Sequence, residues 1–257
     1  MNIAYLYTST VKELFRFRRL AIWLIACVAL WGMGVAFVMY AGGSATDSYS
    51  QLSGALVFRF LPLVAAIFSM AVLAQEVEQK TIVYLLTRPV PRHLMILMRT
   101  LAVATATAFI GAIAAILISF AAKGGSFLSN EYLLRDFKGI LVGSLAYCSL
   151  FVFTSLIINR AMIACLVYAF IWETMVPNMQ GNMYQLSITS HLQAICERPQ
   201  PQSDSNPLTS IMSGSLGTNL LTPTQSWLSM LILTVVMLGL SMFWFTKSEF
   251  LPREDAE

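Results

Sequence analysis

The chain has 257 residues, of which 57% are hydrophobic and only 11% charged, with a formal net charge of +3. Its mean hydropathy is +0.70. A soluble domain carries about twice that share of charge, so the composition excludes an ordinary soluble protein and points to a polytopic membrane protein. The four cysteines, Cys27, Cys148, Cys165 and Cys196, make no disulfide framework. Three fall in apolar stretches and act as small hydrophobes, while Cys196 stands alone in a polar region, an idle thiol or a bridge to a second copy.

Residues 1–19 are basic and amphipathic. Tyr5, Leu6, Val11, Leu14 and Phe15 alternate with Lys12, Arg16, Arg18 and Arg19. This reads as an elbow helix lying in the membrane interface. The charged region is too long for a signal peptide, and the apolar stretch after it is of full spanning length. Residues 20–41 carry no charge and can cross a hydrocarbon core of about 30 Å. After a short polar loop, residues 54–74 form a second span with Arg59 and Pro62 near its start.

Residues 75–99 are a charged island, QEVEQKTIVYLLTRPVPRHLMILMR. Glu76 and Glu78 extend the preceding helix. Ile82, Val83, Leu85 and Leu86 give an apolar patch. Pro89 and Pro91 then break the helix, because each lacks a donor and restricts the residue before it. A second helix starts near His93. The expected result is a polar elbow at the membrane surface, over 75–97.

The third span, 98–122, is rich in alanine and contains Gly111, a composition that lets helices approach closely in lipid. Residues 123–138 form a mixed-charge connector. The fourth span covers 139–158, and Asn159-Arg160 makes a tight turn. The fifth, 161–176, is short and carries Glu173 near its end. A long outer loop, 177–226, precedes the sixth span at 227–246, whose start is marked by Thr222 as a cap, Pro223 in the first turn and Gln225 three residues after the cap. Within the loop, Tyr184, Ile188, Leu192 and Ile195 recur at helical spacing.

The basic residues sort into two sets. Lys12, Arg16, Arg18, Arg19, Lys80, Arg88, Arg92, Arg99, Arg160, Lys247 and Arg253 fall on one side. Lys123, Arg135, Lys138, Arg198 and Arg59 fall on the other. The positive-inside rule makes the first side cytosolic, with both termini and the elbow on it.

Few residues carry candidate chemistry. Arg59 and Glu173 are charges inside spans, at similar expected depth, so they can pair or line the outer part of a pathway, or each can snorkel to the interface. Met175, Met179 and Met183, with His191 and Cys196 downstream, are soft donors of the kind that suit Cu(I). Pro177 interrupts their spacing, however, and methionine is ordinary filler in apolar protein, so no metal site is assigned. There is no G-x-x-x-x-G-K-[ST] loop, no H-E-x-x-H and no G-x-S-x-G, so the chain is not expected to be an enzyme. No basic, aromatic-interleaved surface suggests nucleic acid.

Glu76-x-Glu78-x-Lys80-Thr81, followed by Leu85-Leu86-x-Arg88-Pro89-Val90-x-Arg92, resembles the elbow of ABC-2 type ABC transporter permease subunits, including those similar to copper-enzyme-maturation permeases. Lys80 replaces a glycine common in that family, and Arg99 stands where lysine is usual. The motif covers a small part of the chain, but the hydropathy layout agrees along its length. The resemblance implies a single all-α transmembrane domain of six transmembrane helices, with an N-terminal elbow helix, a cytosolic coupling helix and a long outer loop before the last helix. It implies that Glu76, Glu78, Lys80, Thr81, Arg88, Pro89 and Arg92 dock on a separate cytosolic ATPase, which would bind the ATP and Mg, and that the N-terminal elbow also touches this ATPase. It further implies a second permease copy, as a homodimer or with a related chain. The expected location is a bacterial or archaeal cytoplasmic membrane, the expected activity export. For the outer loop it implies a re-entrant or interfacial segment capping the pathway; a small helix on the lipid surface is the other reading. Two other functions stay open: a secondary transporter, or an ATPase-linked scaffold acting on an extracytoplasmic protein.

Overall fold

The computed structural model describes residues 3–41, 49–50, 52–78, 92–124, 131–158, 160–178, 182–197 and 221–247, and these contain helices and no strand. The first helix, α1 (Ile3–Leu14), is separated by a one-turn break from α2 (Phe17–Ala41). A π-helical turn, Ser53–Val57, leads into α3 (Phe58–Glu78). Then come α4 (Arg92–Lys123) and α5 (Glu131–Ile157). The next helix begins as α6 (Ala161–Val167), passes through a second π-turn at Tyr168–Trp172 and ends as α7 (Glu173–Met175). A short helix, α8 (Ile188–Ile195), precedes the last one, α9 (Pro223–Lys247).

Among the described residues, five helical stretches are long and apolar enough to cross a membrane: Arg19–Tyr40, Ser53–Val72, His93–Lys123, Tyr132–Ile157 and Pro223–Lys247. Five of the expected spans lie in helices that continue beyond the apolar run into polar sequence. The expected fifth span differs more. Its helix, Ala161–Met175, is 15 residues long, about 22 Å at the α-helical rise, against a hydrocarbon core of about 30 Å.

The centre of the bundle is α3, α4 and α5, which pack on one another. Their spanning windows are 50–61% buried, against 17% for α2 and α9, which lie at the periphery on α4 and α5 respectively. Trp23 of α2 meets Phe60 and Phe68 of α3 edge-on, with ring centres 5.7 and 5.5 Å away. Several hydroxyls inside the spans are satisfied within their own helices. Thr100 and Thr107 donate to the carbonyls of Ile96 and Val103 at 2.8 and 2.9 Å, which is how hydroxyls are tolerated where there is no water. α1 packs on α4 through buried Thr10 and Leu14, and Tyr7 donates to Thr105 at 3.0 Å. A gap between them, lined by Leu14, Phe15, Leu20, Phe68, Ala106 and Ile110, is too tight for water.

The two ends of the bundle differ. At one end Met95, Ile96, Val152 and Phe245 form a small separate cluster joining the start of α4 to the ends of α5 and α9. At the other end α5 rises past its apolar part. There Tyr49, fully buried, donates to a carboxylate oxygen of Asp136 at 2.6 Å. This bond explains why charged residues 131–138, expected as a connector, are helical: one of the charges is buried and bonded.

Candidate functional site

The elbow falls mostly outside the described residues. Lys80, Thr81, Arg88 and Pro89 lie there. Glu76 and Glu78 are on the last turn of α3, and Arg92 is the first residue of α4. These helix ends therefore flank residues 79–91, at the end of the bundle that holds the Met95 cluster. Arg160 and Lys247, both exposed, share that end. Lys123, Arg135 and Lys138 belong to the opposite end, so the helices divide these cations as the sequence does.

The best-defined polar site is at the opposite end and is built around α8. Seven of its eight residues are buried. It runs antiparallel to α5, and three contacts fix its register. Thr189 Oγ1 lies 3.0 Å from the Tyr147 hydroxyl. A Cβ at Gly143 would sit 2.6 Å from Leu192 Cδ1, and a Cβ at Gly139 would sit 2.5 Å from Cys196 Sγ. The two glycines, four residues apart, remove side chains where α8 lies on α5, the small-residue device for close helix contact in membranes. Gly139 to Tyr147 is about 12 Å along the helix. The N-terminus of α8 thus reaches well below the level of Lys138, the last charged residue of α5. α8 is embedded among α5 and α9.

Glu173 closes the base of α8. Its carboxylate accepts hydrogen bonds from the Tyr168 hydroxyl at 2.9 Å, the Ser187 hydroxyl at 2.7 Å, and the backbone N–H groups of Ile188 and Thr189 at 3.2 and 3.1 Å. Ser187 is the N-cap and accepts in turn from the Ser190 N–H at 3.4 Å. The first N–H groups of a helix lack internal partners and carry its positive dipole end, so a carboxylate here satisfies both. Glu173 is 2% exposed. Counting from Ala161 it is about 18 Å along its helix. It stands two residues before the end of that helix.

Arg59 takes no part in this set. It is exposed, next to Phe58, whose ring lies over Gly139. The structure does not bring Arg59 and Glu173 together, and the carboxylate is saturated by other donors. For Cys196 the structure favours the idle thiol over the bridge to a second copy. It is buried at the end of α8, donating to the Arg135 carbonyl at 3.4 Å, and cannot bridge to another chain from there. The next residue, Glu197, has a left-handed backbone with φ of 51°, and its carboxylate pairs with Arg135 at 2.6 Å.

His191 fastens the side of α8. Nε2 donates to the Gln185 carbonyl at 2.9 Å, which makes Nδ1 the acceptor for the Ser226 hydroxyl of α9 at 3.2 Å. With both nitrogens engaged the ring is not open to a metal. Met175 and Met183 are exposed, and Met179 lies outside the described residues. No group of three His, Cys, Asp or Glu suited to a metal occurs among the described residues. Burial pushes the His191 pKa down, against smaller upward pulls from its bond to Gln185 and from Glu173. The folded state thus holds the ring neutral while the unfolded chain takes up a proton below pH of about 6.5. Stability is flat above that pH and falls as acid is added, by at most about 1.4 kcal/mol per pH unit for one proton. His191→Gln is expected to flatten this acid limb in melting curves from pH 8 to 5. A limb of the same slope in the variant excludes His191 as its source.

The sequence reading missed Tyr147, Ser187, Ser226 and the two glycines. One signal was present: Gly139-Ile140-Leu141-Val142-Gly143 is a G-x-x-x-G run in an apolar span.

Taken together, this is a polytopic membrane protein, helical throughout its described residues, with a short buried helix before its last span. More narrowly, the chain belongs to the ABC-2 family transporter proteins, whose family model matches residues 16–250. It is a permease component of an ABC transporter, embedded in a cell membrane, and membership implies an ABC ATPase partner. No curated protein matches the sequence.

Proposed function

We propose that this chain is the membrane subunit of an ATP-driven exporter, working as a homodimer with two copies of a cytosolic ATPase. The supporting observation is the family match over 16–250, with Glu76 and Glu78 on the last turn of α3 and Arg92 on the first residue of α4, at one end of the bundle. That end, with both termini, is cytosolic. Glu76, Glu78, Lys80, Thr81, Arg88, Pro89 and Arg92 receive the ATPase. The chain carries no P-loop, so ATP and Mg belong to the partner. The packed centre of the protomer favours a substrate path on its surface, between two copies. The membrane is the cytoplasmic membrane of a bacterium or archaeon.

The test is co-purification in detergent with the ATPase encoded beside it. Wild type is expected to retain the ATPase, and Glu76→Lys/Arg88→Glu/Arg92→Glu to lose it while eluting as a folded species. A wild-type chain that binds no ATPase sinks the proposal. ATP-dependent flux in vesicles then separates an exporter from a scaffold that acts on an outer partner.

A further inference from the structure

We propose that Glu173 is a mechanical joint between the short helix Ala161–Met175 and the buried helix α8, and that the transport cycle unseats α8 by turning this joint. Three features carry the inference, which rests on the permease reading for its cycle.

First, α8 depends on its cradle. At eight residues it is well below the roughly 12–15 that sustain an isolated helix. Its N-terminus is buried, where unbonded N–H groups are most costly. Second, its fastenings are polar and discrete. Glu173 holds the base, Tyr147 and His191 the flank, and Arg135 the exit through Glu197. Of these, Glu173 alone comes from the short helix. Third, Glu173 follows directly on the π-turn Tyr168–Trp172. A π-turn holds one residue more than an α-turn and is often found at functional sites. Relaxing it to α geometry moves the register by one residue, which swings the Glu173 side chain by about 100° around the axis. The carboxylate then leaves all four donors at once. The helix that carries it starts at Ala161, just past the end of α5, on the side of the elbow. A pull on that end has a direct route to the π-turn.

Cys196 reports the state of α8, since its thiol is buried against Gly139 when the helix is seated. The experiment uses the permease–ATPase complex in nanodiscs, with Cys27, Cys148 and Cys165 replaced by alanine. The readout is the rate at which a polar maleimide labels Cys196. Glu173→Gln keeps the shape but presents an NH2 group to donors, so without nucleotide it is expected to label on the order of tenfold faster. Tyr168→Phe, which removes one bond of four, is expected to fall between. In the wild-type background, trapping the ATPase with ATP and vanadate is expected to raise labelling. Unchanged labelling in folded Glu173→Gln and Glu173→Ala overturns the joint. Faster labelling in Glu173→Gln with no response of the wild type to trapping, in a complex that hydrolyses ATP, makes Glu173 a static cap and also overturns the proposal. Failure of any ATPase to co-purify instead defeats the permease reading, and the nucleotide-free comparison still decides whether Glu173 seats α8.

Discussion

Gly139→Ala is expected to destabilise the protein by about 1–3 kcal/mol, the usual cost of forcing a methyl into a packed core. The new Cβ would stand 2.5 Å from Cys196 Sγ and 3.3 Å from the Phe58 ring. Neither neighbour yields easily: Cys196 has one side-chain torsion and caps a buried helix, and Phe58 is fully buried. Replacing glycine by alanine inside a helix gains up to about 1 kcal/mol of propensity, which is smaller than the clash. The result should be a lower melting midpoint in detergent. Cys196→Ala removes the colliding sulfur, so the double variant Gly139→Ala/Cys196→Ala is expected to recover most of the loss. Residues in contact show such non-additivity and distant ones do not. A double variant no better than Gly139→Ala alone means that the seat of α8 is not where the methyl hurts.

Tyr49→Phe is expected to cost about 1.5–3 kcal/mol, the range for a hydrogen bond to a charged acceptor. Its hydroxyl reaches Asp136 at 2.6 Å, and both residues are at most 1% exposed. Little of the bond is therefore replaced by water in the variant. Asp136→Asn keeps an acceptor oxygen for the phenol and should cost less than Tyr49→Phe. The cycle combining the two gives the coupling, expected at about 1–3 kcal/mol. A coupling near zero in melts of all four proteins removes this bond from any account of how the outer end of α5 is held.

The spans were legible because hydrocarbon imposes a length and a lack of charge, and 20–41 and 227–246 lie inside α2 and α9. The start of α9 was legible for a local reason: the Gln225 N–H bonds Thr222 Oγ1 at 3.4 Å, and the helix begins at Pro223. Residues 131–138 misled because Arg135, Asp136 and Lys138 resemble a loop until Tyr49, 87 positions away, is placed against Asp136. The bonding of Glu173 was hidden in the same way. Its partners are at 168 and 187–189, and nothing local says that a helix would end beneath another one. Ile188, Leu192 and Ile195 were read correctly as a helical repeat. Their burial on nearly all sides comes from Gly139 and Gly143, whose meaning appears only when the two segments meet.

The short helix Ala161–Met175 also has a consequence for the bilayer itself. Met162, Ile163, Val167, Phe170, Ile171 and Met175 are exposed along it. This apolar face is about 22 Å tall, some 8 Å less than an average hydrocarbon core. Acyl chains that meet it must compress, at a fraction of a kcal/mol for each Å. Summed over that height difference the strain is on the order of a few kcal/mol, and it grows with chain length of the lipid. Thick membranes therefore favour covering this face with protein, and thin ones leave it to lipid, so the surrounding lipid bears on how many copies stand together.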